Sequence, residues 1–154
     1  MSSQPRTGET DSERHTRQIA ELLQETRVAA VGVQVITGFL LAVPFSADLQ
    51  GLQRDTYVVT LLAAILGTGF FLAPSVLHRV LLHHGQAAWL VAVGSRLLLA
   101  GSAATSIALT AAAVMVGDRV LDGWVAVVPA VWTAGWLAVL WLLLPLGRRR
   151  RLGG

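Results

Sequence analysis

Three histidines lie close together in this sequence, and imidazole is the side chain that most readily binds a metal ion or changes its charge near neutral pH. They are His78, His83 and His84. A metal site needs ligands that converge on one point, which adjacent histidines in a loop rarely provide. No carboxylate lies near them in the sequence. We therefore expect a solvated loop that holds neither a metal nor a cofactor.

Other catalytic signatures are absent from the sequence. It contains no cysteine, so a thiol nucleophile, a disulfide and a thiolate metal site are excluded. The phosphate-binding P-loop, the GxSxG elbow, the HExxH helix and the GxGxxG fingerprint also find no match. We predict that the protein is not an enzyme. A membrane enzyme that uses the loop histidines is the alternative.

A second polar set lies within apolar sequence and could line a route through a membrane. It combines small hydroxyl residues at helical spacing with one amide and one arginine: Ser102, Thr105, Ser106, Thr110, Gln34 and Arg96. The alternative is helix packing, because hydroxyl side chains let helix backbones approach closely and hydrogen-bond across the interface. We favour packing for the hydroxyls, and we expect Gln34 to bond to them or to Arg96.

Arg96 lies at the edge of an apolar stretch, so its long side chain can reach the membrane surface. We expect it to be a structural anchor that pairs with Glu21 or Glu25, the alternative being a functional cation. No Asp or Glu lies inside the apolar stretches. Proton-coupled pumps and antiporters usually depend on carboxylates there, so their absence argues against that class.

The elements that must position these residues are four long uncharged stretches, at residues 28–47, 57–77, 97–116 and 124–144. Each has about the ~20 residues that a helix needs to cross a bilayer core. The chain is 54% hydrophobic and only 14% charged, well below the roughly 25% charged residues of soluble domains. Allowing earlier starts for the last two, we predict transmembrane helices at 28–47, 57–77, 90–116 and 120–144.

The predicted architecture is an all-α integral membrane protein, a four-helix transmembrane bundle over residues 28–146. Residues 1–11 form a polar leader that we expect to be disordered. Residues 12–27 carry apolar side chains at helical spacing and predict an amphipathic helix at the membrane interface.

Residues 147–154 form a basic tail next to the last apolar stretch. Its cluster of four consecutive arginines consists of Arg148, Arg149, Arg150 and Arg151. Cations beside a membrane are attracted to the negative charge of its headgroups. We therefore expect these four arginines to bind anionic lipid.

All twelve basic residues are arginine, and their distribution predicts the orientation of the chain. Two lie in the loops of one side, Arg54 and Arg119, and the other ten lie on the opposite side. Arginines that flank apolar segments are typical of topology signals, so we expect no nucleic-acid partner despite the net charge of +3. Both termini should be cytoplasmic, in a multi-pass protein of the plasma membrane.

Several short runs of the first half of the sequence are similar to those of a known family. They are the runs 21–28, 32–34, 38–41 and 44–45, Tyr57 with 60–62, and 73–74 with 78–79. Over about residues 18–146 the chain resembles an uncharacterised family of small four-helix actinobacterial membrane proteins, a domain of unknown function. Some members carry an automatic label of sodium:proton antiporter. The resemblance implies the fold and the membrane location, and it brings no established active residues.

These observations lead to a non-enzymatic membrane protein that acts through partners or self-association at its cytoplasmic face. That face would use charged residues close to the membrane: Glu21, Glu25, Arg27, His78 and Arg79. The expected partners are anionic lipid and a second copy of the chain or another membrane protein. The alternative function is a small ion or solute transporter, such as a sodium:proton antiporter.

The arginine distribution makes a testable prediction about topology. Reporter domains fused at either terminus should both be found on the cytoplasmic side, because ten of the twelve arginines lie on the side of the termini. Protease accessibility of the two fusions in right-side-out vesicles measures this. A C-terminal reporter exposed outside the cell would contradict the prediction.

Overall fold

Four helices, three of them longer than a bilayer core requires, make up the protein in a computed structural model that describes residues 11–81 and 87–143. The first three are α1, Asp11–Ser46, α2, Leu52–Leu81, and α3, Ala87–Val120. At 1.5 Å per residue they measure about 54, 45 and 51 Å. A 3₁₀ turn, Gly123–Val127, then leads into α4, Val128–Ala138, which continues as a π turn over Val139–Leu143.

Helices α1, α2 and α3, and the helical segment Gly123–Trp141 that contains α4, are each long and apolar enough to cross a membrane. This confirms the predicted all-α fold with four helices of membrane-spanning length. The predicted leader before Asp11, residues 82–86 and the basic tail lie outside the described residues. His78, which was expected in a loop with His83 and His84, instead lies in the last turn of α2. Gly51 and Gly123 have positive φ angles of 50° and 63°, which suit glycine, and each lies just before or at the start of a helical segment.

Helix α1 joins two segments that were predicted as separate elements, the amphipathic helix 12–27 and the membrane helix 28–47. No proline or glycine occurs between Asp11 and Val31 to interrupt the backbone hydrogen bonds. Pro44 lies in the last turn, where it disturbs little of the helix. One continuous element therefore carries both the charged N-terminal residues and the first membrane crossing.

The centre of the protein is a close contact between α2 and α3 through small residues. Ala64 of α2 is fully buried, and Gly67 lies so near α3 that a Cβ there would come within 2.9 Å of Thr105 Oγ1. One turn further on, the Phe71 ring packs on Gly101, leaving no room for a Cβ at that glycine. Close approach of backbones lets dispersion forces act over many atoms, which stabilises helix pairs in lipid.

Helix α1 packs on this pair with residues spaced three, four or seven apart, which lie on one face of the helix. The buried positions are Ile19, Leu22, Thr26, Ala30, Val33 and Leu40. Leu22 fits against Gly94 of α3, where a Cβ would collide with its side chain. The buried hydroxyl of Thr26 donates to the carbonyl oxygens of Leu22 and Leu23, at 3.0 and 3.1 Å, so its burial costs little.

Helix α4 is peripheral, because within the described residues it packs on α3 and on neither α1 nor α2. Ala130 is its buried residue, and Gly117 of α3 lies directly against the carbonyl of Ala126 at the entry to α4. Pro129 lies in the first turn of α4, where its missing N–H is not needed. The arrangement is a three-helix core with a fourth helix on one side.

The α2–α3 contact predicts different effects for two nearby glycines. Gly67→Leu should lower the free energy of unfolding by about 1–3 kcal/mol, the usual cost of overpacking. Gly69→Leu is the matched control, since a Cβ at Gly69 meets nothing within 4 Å. Unfolding in detergent micelles, followed by circular dichroism, measures both variants. Equal stability of the two would contradict the close contact.

Candidate functional site

The polar stripe of α3 divides between two faces of the helix. Ser102 is buried, 4% exposed, and Thr105 faces Gly67 of α2. Ser106 and Thr110, half-buried, turn toward a groove beside α4. The structure thus does not bring the four hydroxyls together in one channel.

Each of these hydroxyls donates its proton to a carbonyl oxygen of α3 itself. The oxygen-to-oxygen distances to the residue four positions back are 2.8 Å for Ser102, 2.9 Å for Thr105 and Ser106, and 2.8 Å for Thr110. Such bonds within a helix remove the need for a partner on another helix. The hydroxyl oxygens can still accept a hydrogen bond, so a ligand at this stripe would have to be a donor.

The groove beside α4 is large enough to hold a ligand. It has a volume of about 780 Å³, with α3 as its floor and α2 and α4 as its walls. Its lining is mainly apolar, with Asp55 and Thr56 from the start of α2 and Trp141 from the π turn that follows α4. Because α4 does not touch α2, the groove opens sideways, toward lipid in a membrane.

Gln34 lies on a different side of the protein from this stripe. Its side chain is exposed and borders a smaller groove, about 270 Å³, between α1 and α2. Among the described residues, the amide has no hydrogen bond to the hydroxyls of α3 or to Arg96, the two partners expected from the sequence. Thr37, Gly38 and Thr68 border the same groove.

The charged candidates are brought to one end of the bundle, which we call the basic end. Leu22 meets Gly94 and lies near Pro74, so the neighbouring parts of α1, α2 and α3 share one level. The candidates near this level are exposed apart from the half-buried His78: Glu21, Glu25, Arg27, His78, Arg79 and Arg96.

The remaining charged candidates from the sequence lie outside the described residues. They are two histidines of the loop and the four arginines of the tail: His83, His84, Arg148, Arg149, Arg150 and Arg151. The solvated loop at His83 and His84 and the binding of anionic lipid by the arginine cluster therefore stay predictions from the sequence.

The salt bridge at the basic end differs from the one expected. Glu21 Oε1 lies 3.8 Å from Arg17 Nε, one turn away on α1. No ion pair joins Arg96 to Glu21 or Glu25 in the described part of the chain. The exposed position of Arg96 is consistent with a side chain that reaches the membrane surface.

A belt free of charged side chains separates the basic end from the opposite, acidic end. From Arg27 to Asp48 on the α1 side, and from Arg96 to Asp118 in α3, the helical rise is about 31 to 33 Å. The two values agree with the ~30 Å of a bilayer core. Asp48 accepts a 2.8 Å hydrogen bond from the Gln50 amide at the acidic end. The described residues contain no group of three His, Asp or Glu side chains that could hold a metal ion.

Comparison with known proteins supports the resemblance noted from the sequence. A family model described as a family of unknown function, DUF6328, matches residues 8–145. No curated protein and no solved structure matches the chain significantly. The match covers the three-helix core and α4 together, and so the chain belongs to the DUF6328 family.

Proposed function

We propose that this protein is a non-enzymatic membrane protein that associates with partners through its basic end. The observation that carries the proposal is the separation of charge: exposed ionic side chains lie at the ends, and the belt between them has none among the described residues. A surface of mixed charge can recognise a partner and fix its orientation. The belt offers contacts with lipid or with other helices, and no carboxylate for proton transfer.

The packing of the interior supports association over transport. Glycine and alanine bring α2 and α3 into direct contact, so the core between them holds side chains and no passage. The hydroxyls there are satisfied by their own helix. A solute route through the three-helix core would have to separate this contact.

The basic end supplies two kinds of interaction. Its arginines would lie at the cytoplasmic surface, where each cation near anionic headgroups gains about 1 kcal/mol. Glu21 and Glu25 add negative charges on the same end, on a helix that begins at Asp11. A protein partner with both positive and negative groups could pair with the glutamates and the arginines of the basic end. An anionic lipid surface could pair only with the arginines, so the glutamates favour a protein partner over lipid.

Site-directed photo-crosslinking in native membranes tests this proposal. A crosslinking amino acid at Glu25 or Arg79 should give a discrete protein adduct, and the charge reversals Glu21→Arg and Arg27→Glu should weaken it. The matched positions are Asp118 and Arg119, exposed at the acidic end. Adducts of equal yield at both ends, or adducts insensitive to charge reversal, would contradict the proposal.

The groove beside α4 favours a second candidate function, a small ion or solute transporter. Asp55 at its rim and the oxygens of Ser106 and Thr110 along its floor form a line of acceptors for a cation. A side that opens to lipid is poorly suited to a hydrated ion, which is why we place this function second.

A flux assay separates the two functions. Purified protein in liposomes should show no more flux than protein-free liposomes under sodium, potassium or proton gradients. Flux that Asp55→Asn or Thr110→Val abolishes, and that the control Asp122→Asn leaves intact, would replace association by transport.

A further inference from the structure

Gln34 occupies an unusual place for an amide, at membrane depth on the outside of the bundle. It lies seven residues from Arg27 and fourteen from Asp48, or about 10 Å and 21 Å along the helix axis. Its side chain is exposed, so in a bilayer it would face hydrocarbon about a third of the way across. The side chain is too short to reach either surface from there.

The surroundings of Gln34 on its own chain do not satisfy it. The hydroxyls of Thr37 and Thr68 border the same groove, but they donate to Val33 O at 2.8 Å and to Ala64 O at 2.9 Å. No donor for the Gln34 carbonyl is left among the described side chains of this groove. A polar group without a hydrogen-bonding partner in hydrocarbon is costly. Whatever packs against Gln34 should therefore supply a donor for its carbonyl and an acceptor for its NH₂ group.

The residues around Gln34 follow the spacing of a helix–helix seam. Five exposed positions of α1 recur at intervals of three and four residues: Val31, Gln34, Gly38, Leu41 and Phe45. We call this set the α1 seam, because two helices pack side by side with this spacing. Phe45, 92% exposed, has almost no contact with its own chain.

Gly38 gives an independent indication of close approach at the α1 seam. Gly67, Gly94, Gly101 and Gly117 are each required by a neighbour within the chain. A Cβ at Gly38 meets nothing within 4 Å, as is also true at Gly32, Gly69 and Gly135, although glycine in a helix costs about 1 kcal/mol relative to alanine. Gly38 differs from these three in its position on the same face of α1 as Gln34. A small residue one turn from a polar residue is typical of the faces through which membrane helices pack.

We propose that a second copy of this chain docks on the α1 seam, in a parallel homodimer with Gln34 paired to Gln34. Two copies inserted in the same orientation are related by a two-fold axis along the membrane normal, which places equal residues at equal depth. An amide has a donor and an acceptor, so two Gln34 side chains can exchange two hydrogen bonds. Any other partner would need a matching polar group at this same depth.

The proposal depends on the membrane placement of α1 and not on a partner at the basic end. The two ideas are therefore tested separately. Dimerisation is measured with purified protein in liposomes of neutral lipid, by energy transfer between donor- and acceptor-labelled copies as the protein-to-lipid ratio is varied. Crosslinking at the basic end requires native membranes.

Two substitutions in α1 test the seam against a matched control. Gln34→Leu should raise the dissociation constant of the dimer about 3- to 30-fold, the range for one interhelical polar contact. Gly38→Leu should weaken the dimer by blocking close approach. Gly32→Leu is the control, since Gly32 is on another face of α1 and is equally free of neighbours. Leucine makes α1 more apolar in all three variants, so none should fail to insert.

The absence of native cysteine allows a second measurement of the same interface. Single cysteines at Val31, Leu41 and Phe45 should form disulfide-linked dimers, and those at Val35 and Phe39, exposed but off the seam, should not. A monomer at all protein-to-lipid ratios, equal effects of Gly38→Leu and Gly32→Leu, or disulfide yields without this spacing would overturn the proposal. An adduct to another protein or a bound lipid in place of the second copy would also overturn it.

Discussion

The structure depends on the close contact between α2 and α3. In water, apolar helices associate because burial removes hydrocarbon from solvent, but lipid removes that driving force. What is left is dispersion between atoms that approach closely, and it falls off steeply with distance. Gly67, Ala64 and Gly101 bring two backbones together, and α1 then packs on the shared surface.

Much of the fold could be predicted because the thickness of a bilayer sets the length of each apolar stretch that crosses it. The charges at Arg27, Asp48, Arg96 and Asp118 mark the edges of the belt, and their spacing equals the rise needed to cross the core. Helix ends were harder to predict. The helices extend beyond the apolar stretches, as α2 does by starting at Leu52, because a helix does not need apolar side chains and glutamine and arginine are good helix formers in water.

The environment of single polar residues could not be predicted from the sequence in the same way. Gln34 and the hydroxyls of α3 were expected to meet, but helix rotation places them on different sides. In sequences where nearly every position is apolar, periodicity gives little indication of which face turns inward. The residues of the α1 seam are spaced three and four apart in the sequence. Only the structure showed that this face of α1 is exposed and that no described residue of the chain packs against Gly38.

Helix α1 has a geometric consequence that follows from its continuity. Its 36 residues have no break between the charged N-terminal part and the membrane crossing. Because α1 packs on α2 and α3 through buried side chains from Ile19 to Leu40, its N-terminal part and its membrane crossing keep one fixed rotational setting. The direction in which Glu21 faces therefore also fixes the direction in which Gln34 faces, about 20 Å further along the same helix.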